Sequence, residues 1–167
     1  MSPATAAWTV EGDVLALGPL QLALQRIALS HWRAGERLRS WGTAPLARER
    51  GRLCLPCAGD EALWLGAWVE EGEARVRLID PLSGGEASLV LPRDYQLAAL
   101  ADLAGTPQPL TLAAGGAARR LRLELDCGGS RAVIELLLLA PAAWAARCGR
   151  PAPPPLDEPP PLPPRLG

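Results

Sequence analysis

The chain has 167 residues, 17 basic and 18 acidic side chains, and a formal net charge of −1. This balance argues against a dedicated nucleic-acid-binding protein, because such domains are normally strongly basic. All the lysine or arginine positions are arginine, a bias that we attribute to GC-rich codons in a bacterial genome. Residues 1–13 lack the basic and apolar regions of a signal peptide, and the longest apolar run, 132–146, is interrupted by Glu135 and Pro141. We therefore expect a cytoplasmic protein without membrane insertion, whose four cysteines stay reduced.

The first third of the chain predicts two short strands and a helix. Residues 7–10 and 14–17 have β-type sequences, separated by a turn at 11–13. Pro19 suits the first turn of a helix, and helical spacing then predicts a core-facing stripe. That stripe consists of Leu20, Ala23, Leu24 and Ile27, with His31 as a further candidate. The following segment, 32–52, is rich in arginine and irregular.

The middle and the last third predict mostly strands. The predicted strands are 52–57, 63–70, 74–79, 87–91, 120–126 and 132–139. A short amphipathic helix is predicted between Pro92 and Gly105, with Leu97, Leu100 and Leu103 on one face. A helical turn over 141–148, closed by Gly149, ends the series. The fold class predicted is α+β: a mostly antiparallel sheet with two or three short helices, in a single domain over residues 1–150.

Residues 151–167 form a proline-rich segment that holds nine of the eighteen prolines. Because proline fixes φ and has no N–H, this segment should stay extended and stiff, as a linker or tail. The string from Pro160 to Arg165 also fits P-x-x-P-x-R, a polyproline ligand pattern. We expect the linker role, and the chain then stops before a further part of the protein.

Cys54 and Cys57 form a Cys-x-x-Cys motif with Pro56 before the second cysteine. This spacing is typical of dithiol redox sites and of zinc sites. No βαβ pattern surrounds the motif, and the other possible ligands, Cys127, Cys148 and His31, are scattered singly. Two small buried thiols are therefore the main interpretation, with a redox pair as the alternative. We expect no catalytic residue, metal or cofactor, and no small-molecule substrate.

Arginine and tryptophan concentrate in two parts of the sequence, and both residue types are common where proteins bind one another. Six arginines crowd one region: Arg33, Arg37, Arg39, Arg48, Arg50 and Arg52. The candidate protein-binding residues are Trp32, Arg33, Arg37, Arg39, Trp41, Trp64 and Trp68. Solvated arginines and core tryptophans remain the plainer alternative. Trp64 and Trp68 share a face whether the segment is a strand or a helix.

Three stretches carry a resemblance to the type III secretion sorting-platform (C-ring) family, also called SctQ/YscQ. LSHWRAG (29–35) resembles an early helical segment of its N-terminal domain, and LPRDYQLAALADL (91–103) its leucine-rich helix. RRLRLELDCGGSRAVIELLLLAPAAWAARCGR (119–150) resembles the hairpin and short helix that close that domain. The C-terminal SpoA domains of the family are absent from this sequence, as expected if it stops in the linker before them.

The resemblance implies a non-enzymatic cytoplasmic scaffold beneath the bacterial injectisome. Its partners would be adaptor and stator proteins, together with chaperone–substrate complexes. Two other functions stay open at this point. One is a small secretion chaperone or adaptor that binds an effector segment, and the other is a Cys54/Cys57 dithiol oxidoreductase.

Overall fold

The computed structural model describes residues 7–112 and 118–156, and all structural statements below concern these residues. They form thirteen strands, one 3-10 helix (Leu29–His31) and one α-helix. In chain order the elements are β1 (Thr9–Glu11), β2 (Val14–Leu17), β3 (Leu20–Ala28), β4 (Ala47–Glu49), β5 (Arg52–Pro56), β6 (Glu61–Val69), β7 (Ala74–Ile79), β8 (Glu86–Leu91), β9 (Gln96–Leu97), β10 (Ala99–Ala101), β11 (Pro107–Pro109), β12 (Ala118–Cys127), β13 (Ser130–Leu139) and α1 (Pro141–Cys148).

The strands are arranged in two sheets. The smaller sheet has the order β1-β2-β3-β6-β9, and the larger sheet has the order β11-β10-β8-β7-β12-β13-β5-β4. Neighbouring strands run antiparallel, except that β5 lies parallel to β13. Consecutive strands mostly form hairpins, so short turns rather than helical crossovers connect them.

One apolar core lies between the two sheets, because both contribute alternate residues to the same buried cluster. In β12, Leu121, Leu123 and Leu125 are buried in this core. Arg122 is exposed on the other face. In β3 the inward residues are Leu20, Leu22 and Leu24. A period of two therefore places the leucines between the sheets, the arrangement of a β-sandwich.

Helix α1 covers part of the outer face of the larger sheet. Trp144 is fully buried there against Cys54, Leu137 and Leu139, and its indole N–H donates to the Cys54 carbonyl at 3.0 Å. Pro141 opens the helix and Gly149 ends it with a left-handed backbone (φ 70°). This start and stop match the sequence prediction, because proline suits a first turn and glycine suits a left-handed cap.

The helix predicted over 20–27 is wrong, since this segment is strand β3. Leu20 and Leu24 fit both a helical and a period-two pattern, so local spacing could not distinguish the two. The segment is a strand because it pairs with β6 along its whole length, from Leu20 opposite Val69 to Ala28 opposite Glu61. Gly18 (φ 56°) supplies the turn of the β2–β3 hairpin.

The helix predicted between Pro92 and Gly105 is also wrong. This segment contains β9, which joins the smaller sheet, and β10, which joins the larger one, so the chain passes between the sheets at Ala98. Leu97 and Leu100 are buried as predicted, but Leu103 is 94% exposed. The Asp102 carboxylate accepts from the N–H groups of Ala104 and Thr106 and closes a tight turn instead.

The observed architecture is therefore mostly β-sheet, with antiparallel sheets and one α-helix among the described residues. The predicted hairpins around Ala74–Ile79 and 120–139 are present. Residues 151–156 contain neither helix nor strand, and the remainder of the predicted tail, 157–167, lies outside the described residues.

Replacing Leu123 with alanine should lower the free energy of unfolding by about 2–5 kcal/mol, because the side chain is fully buried between the sheets. Leu82→Ala is the matched control, since Leu82 is 95% exposed and its loss should change stability by less than about 0.5 kcal/mol. Urea unfolding followed by tryptophan fluorescence measures both. Equal effects of the two substitutions would contradict the shared core.

Candidate functional site

Part of the irregular segment 29–46 folds over the outer face of the smaller sheet. Its side chains build a second apolar cluster on residues that β3 and β6 point outward. The cluster contains Ile27, Leu38, Ala62 and Trp64, with Leu29, Trp32, Trp41 and Ala98 packed against it. Three of the four predicted binding tryptophans therefore attach this segment to the sheet.

The polar edges of these tryptophans also have partners within the chain. The indole N–H of Trp32 donates to the Ala98 carbonyl at 3.0 Å, and that of Trp64 to the Arg39 carbonyl at 3.2 Å. The ring of Trp41 lies 4.9 Å from that of His31, at an angle of 55°. Since buried indole groups need such hydrogen bonds, the geometry favours a structural role for these rings.

Trp68 differs from the other three, because its side chain is 43% exposed. It lies near the end of β6, next to the strand end that carries Tyr95, which is 45% exposed. The N–H of Ala67 donates to the Tyr95 carbonyl at 2.9 Å, so the two aromatic residues lie on neighbouring chain segments. Exposed aromatic side chains are typical anchors for a partner protein.

Arg37 contacts Tyr95, since its guanidinium lies over the Tyr95 ring at 5.1 Å from the centroid. We call Trp68, Tyr95 and Arg37 the aromatic–arginine surface. A groove of about 590 Å³ adjoins it, bounded by Arg33, Arg37, Arg93 and Tyr95 among others. Sequence reasoning missed Tyr95, although it is the only tyrosine of the chain and follows the polar sequence Pro-Arg-Asp.

The predicted arginine cluster is divided between the two sheets. Arg33 and Arg37 line the groove, and Arg33 donates to the carbonyls of Ser30 and Trp32. Arg39 is exposed on the same segment and interacts within the chain. The other members lie on or beside the β4–β5 hairpin of the larger sheet, where Arg48 stacks on the Trp8 ring at 3.7 Å and Arg52 pairs with Glu135.

Positive charge exceeds negative charge along the groove. Three arginines line it together with Glu36 and Asp94. Asp94 accepts from the Val90 N–H and from Arg93, and these hydrogen bonds lower the pKa of its carboxyl group below the usual value. Asp94 is therefore ionised at neutral pH and offsets part of the arginine charge.

The two residues of the Cys-x-x-Cys motif do not form a pair. Cys57 is buried in the core between the sheets, whereas Cys54 lies in the separate cluster under α1. Burial is the main cause that raises the pKa of Cys54 to about 11 and that of Cys57 to about 12. A redox dithiol needs an accessible cysteine with a lowered pKa, so this geometry opposes that chemistry.

Other chemistry-bearing arrangements are scarce in the part of the chain that the structure describes. It contains no group of three or more histidine, cysteine, aspartate or glutamate side chains that could hold a metal ion. A groove of about 890 Å³ lies beside the Asp80 turn, where Asp80 pairs with Arg119 at 3.0 Å. Its lining includes Leu112 and Ala118.

Comparisons with known proteins identify no relative. No family model matches the chain, and no curated protein or solved structure matches it either. Among residues 7–112 and 118–156, no helix has the length and apolar character needed to cross a membrane.

At pH 8 the native chain should contain one rapidly reacting thiol, Cys148, which is half-buried, whereas Cys54, Cys57 and Cys127 are buried with a raised pKa. Titration with Ellman's reagent, native and in guanidinium, measures this. The Cys148→Ser variant should lose the fast reaction. A Cys54–Cys57 disulfide after mild oxidation of the native chain would contradict the separation of the two thiols.

Stability should fall as the pH rises from about 9 towards 12. Because folding raises the pKa of Cys54 and Cys57 above the ordinary value of 9.0, the unfolded chain releases these protons first. The stabilisation that comes from these two protonated thiols is complete below pH 9. It is lost as the pH rises past their pKa values in the folded chain. Urea unfolding between pH 7 and 11 should give a flatter profile for the double variant C54A/C57A than for the native chain. Parallel profiles would refute the assignment.

Proposed function

We propose that this chain is a non-enzymatic protein-interaction domain that binds its partner through the aromatic–arginine surface. The observation that carries the proposal is the exposure of Trp68 and Tyr95 on adjacent segments, with Arg37 over the tyrosine ring. Tryptophan, tyrosine and arginine are the residue types that dominate binding energy at protein interfaces. Trp68 lies within β6, and Tyr95 directly precedes β9 with its carbonyl held by the Ala67 N–H, so little backbone conformational entropy is lost when a partner binds.

We further propose that the domain is a cytoplasmic scaffold of a bacterial type III secretion sorting platform, with adaptor or stator proteins as its partners. The support is the resemblance over 119–150, where the expected hairpin and short helix correspond to β12, β13 and α1. The other two stretches contribute less. Residues 91–103 contain strands, and 29–35 begin with a 3-10 helix and continue as an irregular segment.

Binding to adaptor and stator proteins of type III secretion systems tests the proposal. The Trp68→Ala and Tyr95→Ala substitutions should each weaken binding about 30-fold, as expected for a hot-spot loss of about 2 kcal/mol. Biolayer interferometry with the full chain gives the dissociation constants, and circular dichroism verifies the fold.

The matched control is Leu103→Ala, because Leu103 is 94% exposed on the turn after β10 and lies outside the aromatic–arginine surface. It should leave the affinity unchanged. Absence of binding to any adaptor or stator protein would reject the secretion proposal. Binding that Trp68→Ala and Tyr95→Ala leave intact would reject this surface.

A further inference from the structure

The inward face of β3 contains one charged residue in a series of leucines. Leu20, Leu22 and Leu24 face the core, and Arg26 follows at the next inward position. Its exposed fraction is 6%, and that of its partner Glu61, at the start of β6, is 3%. A buried ion pair is often no more stabilising than well-packed apolar side chains. The core alone therefore does not explain this pair.

Glu61 holds the Arg26 guanidinium in a fixed orientation. The carboxylate accepts from both Nε and Nη2 of Arg26, so the contact is bidentate. Nη2 also donates to the main-chain carbonyl of Pro154, 128 residues further along the chain, at 2.9 Å. Glu61 thus positions a donor that reaches the proline-rich segment.

This pairing suits the chemistry of the segment. A run of prolines offers carbonyl acceptors and no N–H donors, so a protein that binds it must supply the donors. Arginine has several N–H donors in a planar arrangement and remains charged at all relevant pH values. A proline-rich segment is also stiff, so binding it costs little conformational entropy.

The chain is also anchored immediately before the segment. Arg150, just after α1, donates to the Leu46 carbonyl at 2.8 Å and lies over the Trp144 ring at 5.2 Å. Beyond it, Ala152, Pro153 and Leu156 are half-buried. Pro154 is the fourth residue after Arg150, about 12 Å further along an extended chain. Both anchors therefore belong to one short path across the body of the domain.

We propose that the Arg26–Glu61 pair forms a binding site for an extended proline-rich segment, and that residues 151–156 of the same chain occupy it. We call residues 151–156 the strap. Because the strap follows α1 directly, its effective concentration at the site is in the millimolar range or above, which favours occupation within one chain. The folded unit then includes Leu156, six residues beyond the boundary predicted at residue 150.

Backbone dynamics of the full chain test the proposal. Proline has no amide proton, so Ala152 and Leu156 provide the ¹⁵N relaxation probes in the strap. In the native chain both should have order parameters near those of the strands, about 0.85, and in R26L/E61L both should fall below about 0.6. The double variant should remain folded, because apolar replacement of a whole buried ion pair is commonly neutral or stabilising.

The matched control is R77L/E86L, which removes an exposed arginine–glutamate pair from the larger sheet. Like R26L/E61L, it replaces one arginine and one glutamate with leucine. It should leave Ala152 and Leu156 ordered. If these two amides are flexible in the native chain, or stay ordered in R26L/E61L, the proposed site is wrong. If their order is lost on dilution, a second copy supplies the strap and the assignment to one chain is wrong.

A second variant leaves the core unchanged. Replacing residues 151–156 with Gly-Ser-Gly-Ser-Gly-Ser in the full chain should make Arg26 reactive towards phenylglyoxal, as measured by mass spectrometry of the peptide that contains it. The free peptide PAPPPL should restore protection, whereas a Gly-Ser peptide of equal length should not. Equal Arg26 reactivity in the native chain and in this variant would also overturn the proposal.

Discussion

The shared apolar core between the two sheets is the constraint on which the rest of the structure depends. The leucines of β12, together with Leu136 and Leu138 of β13, lie in this core, and the smaller sheet closes it from the other side. Since each strand alternates, fixing one face inward also fixes which residues point outward. The inward position of Leu65 thus determines the outward positions of Trp64 and Trp68. This alternation of inward and outward residues places the second apolar cluster, the aromatic–arginine surface and the strap site.

How far the sequence predicts this fold depends on whether a segment has one interpretation or two. Ala74–Ile79 alternates apolar and charged residues without ambiguity, and it is a strand. Residues 20–27 have leucines that satisfy both a helical and an alternating pattern, and only the distant pairing with β6 decides between them. Residues 92–105 divide between two sheets, so their leucines have no single face. Both incorrect predictions arise where non-local contacts outweigh local spacing.

The candidate site shows a similar division. Residue type alone indicated tryptophan and arginine, and Trp68 and Arg37 do lie on an exposed surface. Exposure depends on what covers the outer face of the smaller sheet, and the sequence does not show that segment 29–46 covers Trp64. Tyr95 can be recognised as a candidate site residue only once the pairing of β9 with β6 is known. The same limit applies to Arg26, because its partners Glu61 and Pro154 are far from it in sequence.

Strand β6 connects the two sites that we propose. It begins at Glu61, which orients Arg26 towards the strap, and Trp68 lies seven residues later. At about 3.3 Å per residue the two positions are roughly 23 Å apart along the strand. Residues that far apart, with no partner in common, normally act independently. A partner at the proposed Trp68 site therefore does not have to displace the proposed strap.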